Sequence, residues 1–234
     1  MFRLKGVLLL IIATYFLLSC SSSQKIIFKD DFQKDKLDRK WKVENGDWTV
    51  QDGVMSGVRN QNGWGVILVN KKLPEDYILT FSAFPDSTAY FFEIILNLKK
   101  EKFLGILQNQ MEQTIDLEDR SLFSPKNRIK QNKFVCTTGH IGALPEFDFQ
   151  NQYDWLNWKI QKIGKMIYLW INDVEVMSFS DSDDLLNPKG KFGFIIHGKV
   201  QIKDVKLYET KKEASYPPTN FKGKPRKCIP FFFE

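Results

Sequence analysis

Turn signals punctuate this chain every several residues, and that spacing leaves room for little besides short antiparallel strands. Asn45-Gly46, Asp52-Gly53, Asn62-Gly63, Gly164-Lys165, Asn172-Asp173 and Lys189-Gly190 separate stretches dense in aromatic and β-branched side chains. Such a pattern predicts an all-β sandwich or barrel. No heptad, internal repeat or long amphipathic helix interrupts it, and Asp181 to Leu186 has room for one helical turn.

A meander near the C-terminus is the clearest segment. Strands are predicted over Trp155–Ile163, Met166–Ile171 and Val174–Phe179, followed by Lys191–His197 and Val200–Tyr208. In the second of these, Ile167, Leu169 and Ile171 share one face, and Tyr168 and Trp170 share the other. With the aliphatic face inward, two aromatics stand outside together and can stack on the apolar face of a sugar ring. With the aromatic face inward, or under a loop, the pair is core.

The N-terminus has the layout of an export signal: a basic start at Arg3 and Lys5, then a run from Gly6 to Leu18 that is apolar but for Thr14. The run is shorter than the ~20 residues of a spanning helix. Its last four residues, Leu17-Leu18-Ser19-Cys20, resemble a bacterial lipobox. That resemblance implies removal of residues 1–19, acylation of Cys20, and a lipid-anchored protein of the bacterial cell envelope, periplasmic or surface-exposed. An uncleaved anchor and an ordinary secretory signal are the alternatives. Residues 20–25, with Ser21-Ser22-Ser23-Gln24, then read as lipidated cysteine and tether, 26–210 as one β domain, and 211–234 as an extended tail with Pro217-Pro218 and Pro225.

Cleavage leaves 215 residues and lowers the net charge from +6 to +4. The charge is mild and dispersed, which argues against nucleic acid as a partner. With Cys20 on lipid, Cys136 and Cys228 are left to pair with each other or stay as thiols. His140 and His197 are the only histidines, so a multi-histidine zinc site is excluded.

Trp158-Lys159-Ile160, Gly164, Leu169-Trp170-Ile171-Asn172-Asp173 and Val174-Glu175-Val176 resemble the closing strands of the 3-keto-disaccharide hydrolase domain family. Gly190-Lys191-Phe192-Gly193-Phe194 and Val200-Gln201-Ile202-Lys203-Asp204-Val205 are similar to its last two strands. Phe28-Lys29-Asp30-Asp31-Phe32, Trp41, Gly46-Asp47-Trp48-Thr49-Val50 and Asp52-Gly53 are similar to its opening. The resemblance implies a concanavalin A-like jelly roll: two curved antiparallel sheets, with carbohydrate on one concave face. The region Asp86 to Asn97 departs from that family's Asn-Ser-Gly-Ile pattern, and Glu93 lacks the Glu-x-Asp-x-x-Glu strand of family-16 glycosidases, so no catalytic residue carries over.

Glu93 remains the candidate general acid or base, in a strand where a carboxylate must be solvated, paired or functional. Two-residue periodicity puts Asn97 on its face. Tyr168, Trp170, Trp64, Asn97, His197 and Asp148 are the candidate carbohydrate-binding residues, with Glu146 and His140 in neighbouring loops. Asp31 and Asp204 could share a structural calcium if the terminal strands pair, a feature that some relatives in the superfamily imply. Asp181-Ser182-Asp183-Asp184 lacks the rest of an EF-hand and reads as a solvated turn. Three functions follow: glycan binding at the envelope, hydrolysis of glycosides or 3-keto-disaccharides, and assembly with another envelope protein through the basic tail and Phe231-Phe232-Phe233.

Overall fold

Among the described residues every regular element is a strand. In chain order these are β1 (Lys25–Asp30), β2 (Trp41–Asn45), β3 (Asp47–Gln51), β4 (Val54–Val58), β5 (Gly65–Lys72), β6 (Tyr77–Pro85), β7 (Phe91–Lys99) and β8 (Lys102–Asn109). Then come β9 (Thr114–Phe123), β10 (Arg128–His140), β11 (Leu156–Ile163), β12 (Met166–Ile171), β13 (Val174–Ser180), β14 (Lys191–His197), β15 (Lys199–Glu209) and β16 (Lys224–Pro225). The computed structural model describes residues 24–61, 63–111, 114–123, 128–140, 154–181, 189–210 and 224–225. Cys20 and the export segment, Glu146, Asp148, Asp183-Asp184, Cys228 and most of the tail lie outside the described residues.

The strands form two antiparallel sheets. Sheet one runs β13-β12-β11-β6-β15-β4-β3, with β1 also on β15, and sheet two runs β16-β10-β9-β8-β7-β14-β5-β2. Packed face to face, they make a jelly-roll β-sandwich. The turn signals close the predicted hairpins: Asp52 and Gly53 have φ of 51° and 77°, Asn172 and Asp173 of 50° and 63°. Positive φ at both positions matches the twist of the flanking strands. Lys224–Pro225 pairs with Thr137–Thr138, so sheet two takes one short strand from the segment expected to be tail.

Between the sheets, alternate residues of each strand meet. Phe81 stacks on Trp158 at 5.9 Å within sheet one, and both reach Phe92 of sheet two, at 6.2 and 5.8 Å. Phe194 joins them, 5.1 Å from Phe81 and 6.0 Å from Trp41. Trp41 Nε1 donates to Asp30 Oδ2 at 2.9 Å, tying β2 of one sheet to β1 of the other. Ile167, Leu169 and Ile171 belong to this core, so Tyr168 and Trp170 face outward from sheet one.

One edge of β15 pairs along its length with β6, while the other is divided between β4 (Lys199–Ile202) and β1 (Val205–Glu209). Asp204, at φ 56°, sits in the bulge where β15 changes partner.

Sheet two has a second apolar layer on its outer face. Val66, Leu68, Ile95, Leu98, Phe103, Leu122, Ile129 and Ile195 are buried there, one residue out of phase with the main core. Strands buried on both faces lose polar alternation, which is why β7 reads as a nearly continuous apolar run.

Candidate functional site

His197 ends β14 on the outer face of sheet two, and four loop or strand-end residues gather around it. Gly198, at φ 103°, lies so close to the backbone of Thr88 and Ala89 that no Cβ would fit, which brings the next residues, Tyr90 and Phe91, beside the imidazole. Their rings lie 5.4 and 5.9 Å from His197. Trp64 enters from the β4–β5 connection, 5.3 Å from His197 and stacked on Phe91 at 5.5 Å with planes 13° apart. Asn45 Nδ2 donates to the Trp64 carbonyl at 2.7 Å and fixes that loop to β2. Arg59, on the same connection, donates its backbone N–H to Gly198 O at 3.0 Å and places a guanidinium nitrogen 2.7 Å from His197 Nε2.

A guanidinium only donates, so Nε2 must accept and the imidazole must be neutral, with its proton on Nδ1. Burial, reinforced by the Arg59 charge, holds the His197 pKa below the usual histidine range. Tyr90 is 48% exposed, and Trp64 and His197 are partly exposed. The cluster therefore presents aromatic surface with an exposed cation at its border, a combination suited to stacking on a sugar ring while hydrogen-bonding its oxygens.

Further along the same face lies an ionic group. Asp116, Glu118 and Arg120 alternate on β9 with Ile115 and Leu117, which fill the core, so the three charges point outward together. Arg120 Nε is 3.2 Å from Glu93 Oε1 on β7, and Arg120 also pairs with Glu118. All three side chains are fully buried. Gly105 of β8 lies between them: a Cβ there would fall on the Glu93 carboxylate, so only glycine lets the pair form across β8. Burial pushes the Glu93 carboxyl above the usual range, and Arg120 pulls against it.

Several sequence expectations need correction. Of the solvated, paired or functional roles open to Glu93, the structure shows the paired one, with Arg120, and encloses the carboxyl away from substrate. Asn97 does not share its face. A register shift follows Leu96, Asn97 adopts φ 57°, and its Oδ1 accepts from the buried Tyr77 hydroxyl at 3.0 Å. Tyr168 and Trp170 stack at 5.7 Å on the outer face of sheet one, so they share no surface with Glu93, Trp64 or His197. Tyr168 is 2% exposed, and the Lys159 ammonium lies 4.4 Å from the Trp170 ring centre, so the expected stacking platform is occupied.

Trp64 and His197 do come together. Sequence reasoning missed Arg59, Tyr90 and Phe91, which periodicity does not link to them. It also missed Arg120, although the alternation Asp116-x-Glu118-x-Arg120 was a readable signal. Asp31 is paired with Lys29 at 2.9 Å, and Asp204 lies within electrostatic reach of the same lysine. Among the described residues, no group of three or more His, Cys, Asp or Glu side chains could hold a metal ion.

No family model matches the chain, and no curated protein matches it. Solved structures do. A Bacillus subtilis protein of unknown function with a galectin-like fold superposes with a TM-score of 0.60 at 14% identity, covering 81% of this chain and 98% of its own. An endo-β-1,3-glucanase from Pyrococcus furiosus reaches 0.59 at 8% identity, over 83% and 97%. A carbohydrate-binding module from Bacillus subtilis reaches 0.54 at 12% identity, over 73% and 96%. At such identities the likeness establishes the fold alone.

Proposed function

We propose that this protein binds a glycan at the bacterial cell envelope, held there by lipid on Cys20, and that the aromatic group around His197 is its binding surface. The observation that carries the reading is the convergence of Trp64, Tyr90, Phe91 and His197 at one end of sheet two, bordered by the Arg59 guanidinium. Rigid rings offer a sugar its apolar contact at low entropic cost, and Arg59 supplies several donors for hydroxyl or ring oxygens. A carbohydrate-binding module and a β-1,3-glucanase share the fold, which supports a glycan as the class of ligand.

Hydrolysis fits the geometry less well than binding. A glycosidase needs one carboxyl protonated and a second free to act on the sugar or on water. Glu93 and Glu118 are both committed to Arg120, and all three are sealed from solvent.

A glycan array and a hydrolysis screen on the soluble form starting at Ser21 test the proposal. Binding without turnover is expected, reduced by Tyr90→Ala and Trp64→Ala and unchanged by Trp170→Ala. A broad panel yielding neither binding nor turnover would overturn it.

A further inference from the structure

At the end of sheet two away from His197, five lysines surround a cavity of about 480 Å³. Lys72 closes β5, Lys99 and Lys100 turn β7 into β8, and Lys189 and Lys191 flank the start of β14. Among the described residues Glu44 is the one acid in the lining, and it pairs with Lys42 at 2.7 Å. Among the described residues, none of the five lysines has a carboxylate partner; Lys191 reaches Asn70 Oδ1 at 3.5 Å.

Three strand ends are clamped to bring these charges together. Leu73 N donates to Gly190 O at 2.8 Å, linking the end of β5 to the start of β14. Gly190 lies flat on the Asn97 backbone, where no Cβ would fit, linking β14 to β7. Asn97, Lys100 and Lys189 hold positive φ of 57°, 57° and 67°, a conformation that non-glycine residues adopt only at a cost. Strained turns that collect like charges carry a double cost, and an anion among them relieves the repulsion.

Among the described residues the lining contains no arginine. Ammonium groups are compact point charges that suit a tetrahedral oxyanion, whereas a planar carboxylate is better matched by a guanidinium fork. Leu68 and Leu98 form part of the same wall and offer contact to carbon. We infer that this cavity binds a phosphate ester, with its phosphoryl oxygens among the five lysines and its organic part against the two leucines. The ester is either a soluble metabolite or the headgroup of a phospholipid.

Calorimetry on the full chain in nonionic detergent tests this with glycerol phosphate, a monoester, and glycerophosphoglycerol, a diester headgroup without acyl chains. Saturable binding that weakens as salt rises is expected for at least one probe. Preference for the monoester assigns a soluble phosphate ester, and preference for the diester assigns a lipid headgroup. Lys99→Glu with Lys191→Glu should weaken binding on the order of tenfold or more, with unchanged circular dichroism. Lys203→Glu with Lys206→Glu, the same charge change on sheet one, should leave it intact. No saturable binding of either probe, or equal loss in both double variants, overturns the inference.

Discussion

The Arg59 guanidinium donates to Nε2 of His197 across 2.7 Å, a contact that exists only while the imidazole is neutral. Protonation would replace a hydrogen bond with two facing cations. Folded His197 resists the proton, whereas the unfolded chain takes it up near the ordinary value of 6.5. The contribution to stability is therefore complete above that pH and is lost as pH falls from it toward the depressed folded value. Thermal melts between pH 7.5 and pH 5 should show a loss that Arg59→Gln reduces. An NMR titration placing His197 at or above an ordinary histidine would contradict this.

Arg120 is the shared partner of two enclosed carboxyl groups, Glu93 and Glu118. Arg120→Leu should cost about 3–5 kcal/mol, because Glu93 and Glu118 are left buried without their cation. Replacing all three charged residues with leucine should recover most of that loss, since the fully apolar version carries no desolvation cost. Denaturant unfolding of the two variants measures both values.

Gly105→Ala tests the space between β7 and β9. The added methyl displaces the Glu93 carboxylate, with a cost of about 1–3 kcal/mol from overpacking alone. In a Glu93→Ala background the same change should cost less, and the difference between the two measurements is the coupling between the positions. Additive effects would mean that Glu93 does not occupy the gap.

Tyr77→Phe removes the donor that holds Asn97 inward. A loss of about 1–2 kcal/mol is expected, as Asn97 Oδ1 loses this bond inside the core. Asn97→Gly should lose the same bond but recover part of the cost by relaxing the positive φ. Stability curves for the two variants should differ in that order.

Tyr90→Ala and Trp64→Ala should each weaken glycan binding by about 1–2 kcal/mol, roughly five- to thirtyfold. Tyr90 is the sharper probe because it is partly exposed and its removal disturbs less of the fold. Unchanged affinity in both variants would place the glycan elsewhere.

The strands of the meander were legible because local chemistry defines them. Asn172-Asp173 sets a hairpin, and the alternation around Leu169 sets which side of β12 is core. Two kinds of information were not local. Alternation tells the inner face from the outer one but not which sheet a strand joins, so it could not show that the candidates Trp170 and Glu93 lie on opposite sides of the sandwich. Alternation also fails across a bulge, and Asn97 follows the register shift that turns it toward Tyr77. The cluster at His197 depends on Gly198 packing against Thr88, a contact between segments far apart in sequence.

β14 carries Lys191 at one end and His197 at the other. Six steps at about 3.4 Å set them at most roughly 20 Å apart on an interior strand whose register shifts between Lys191 and Gly193. The sandwich thus has two chemically different poles, one cationic and one aromatic, at the two ends of a single strand. An anionic surface gripped by the first would aim the second directly away from it, so that a single strand would determine which way the protein faces.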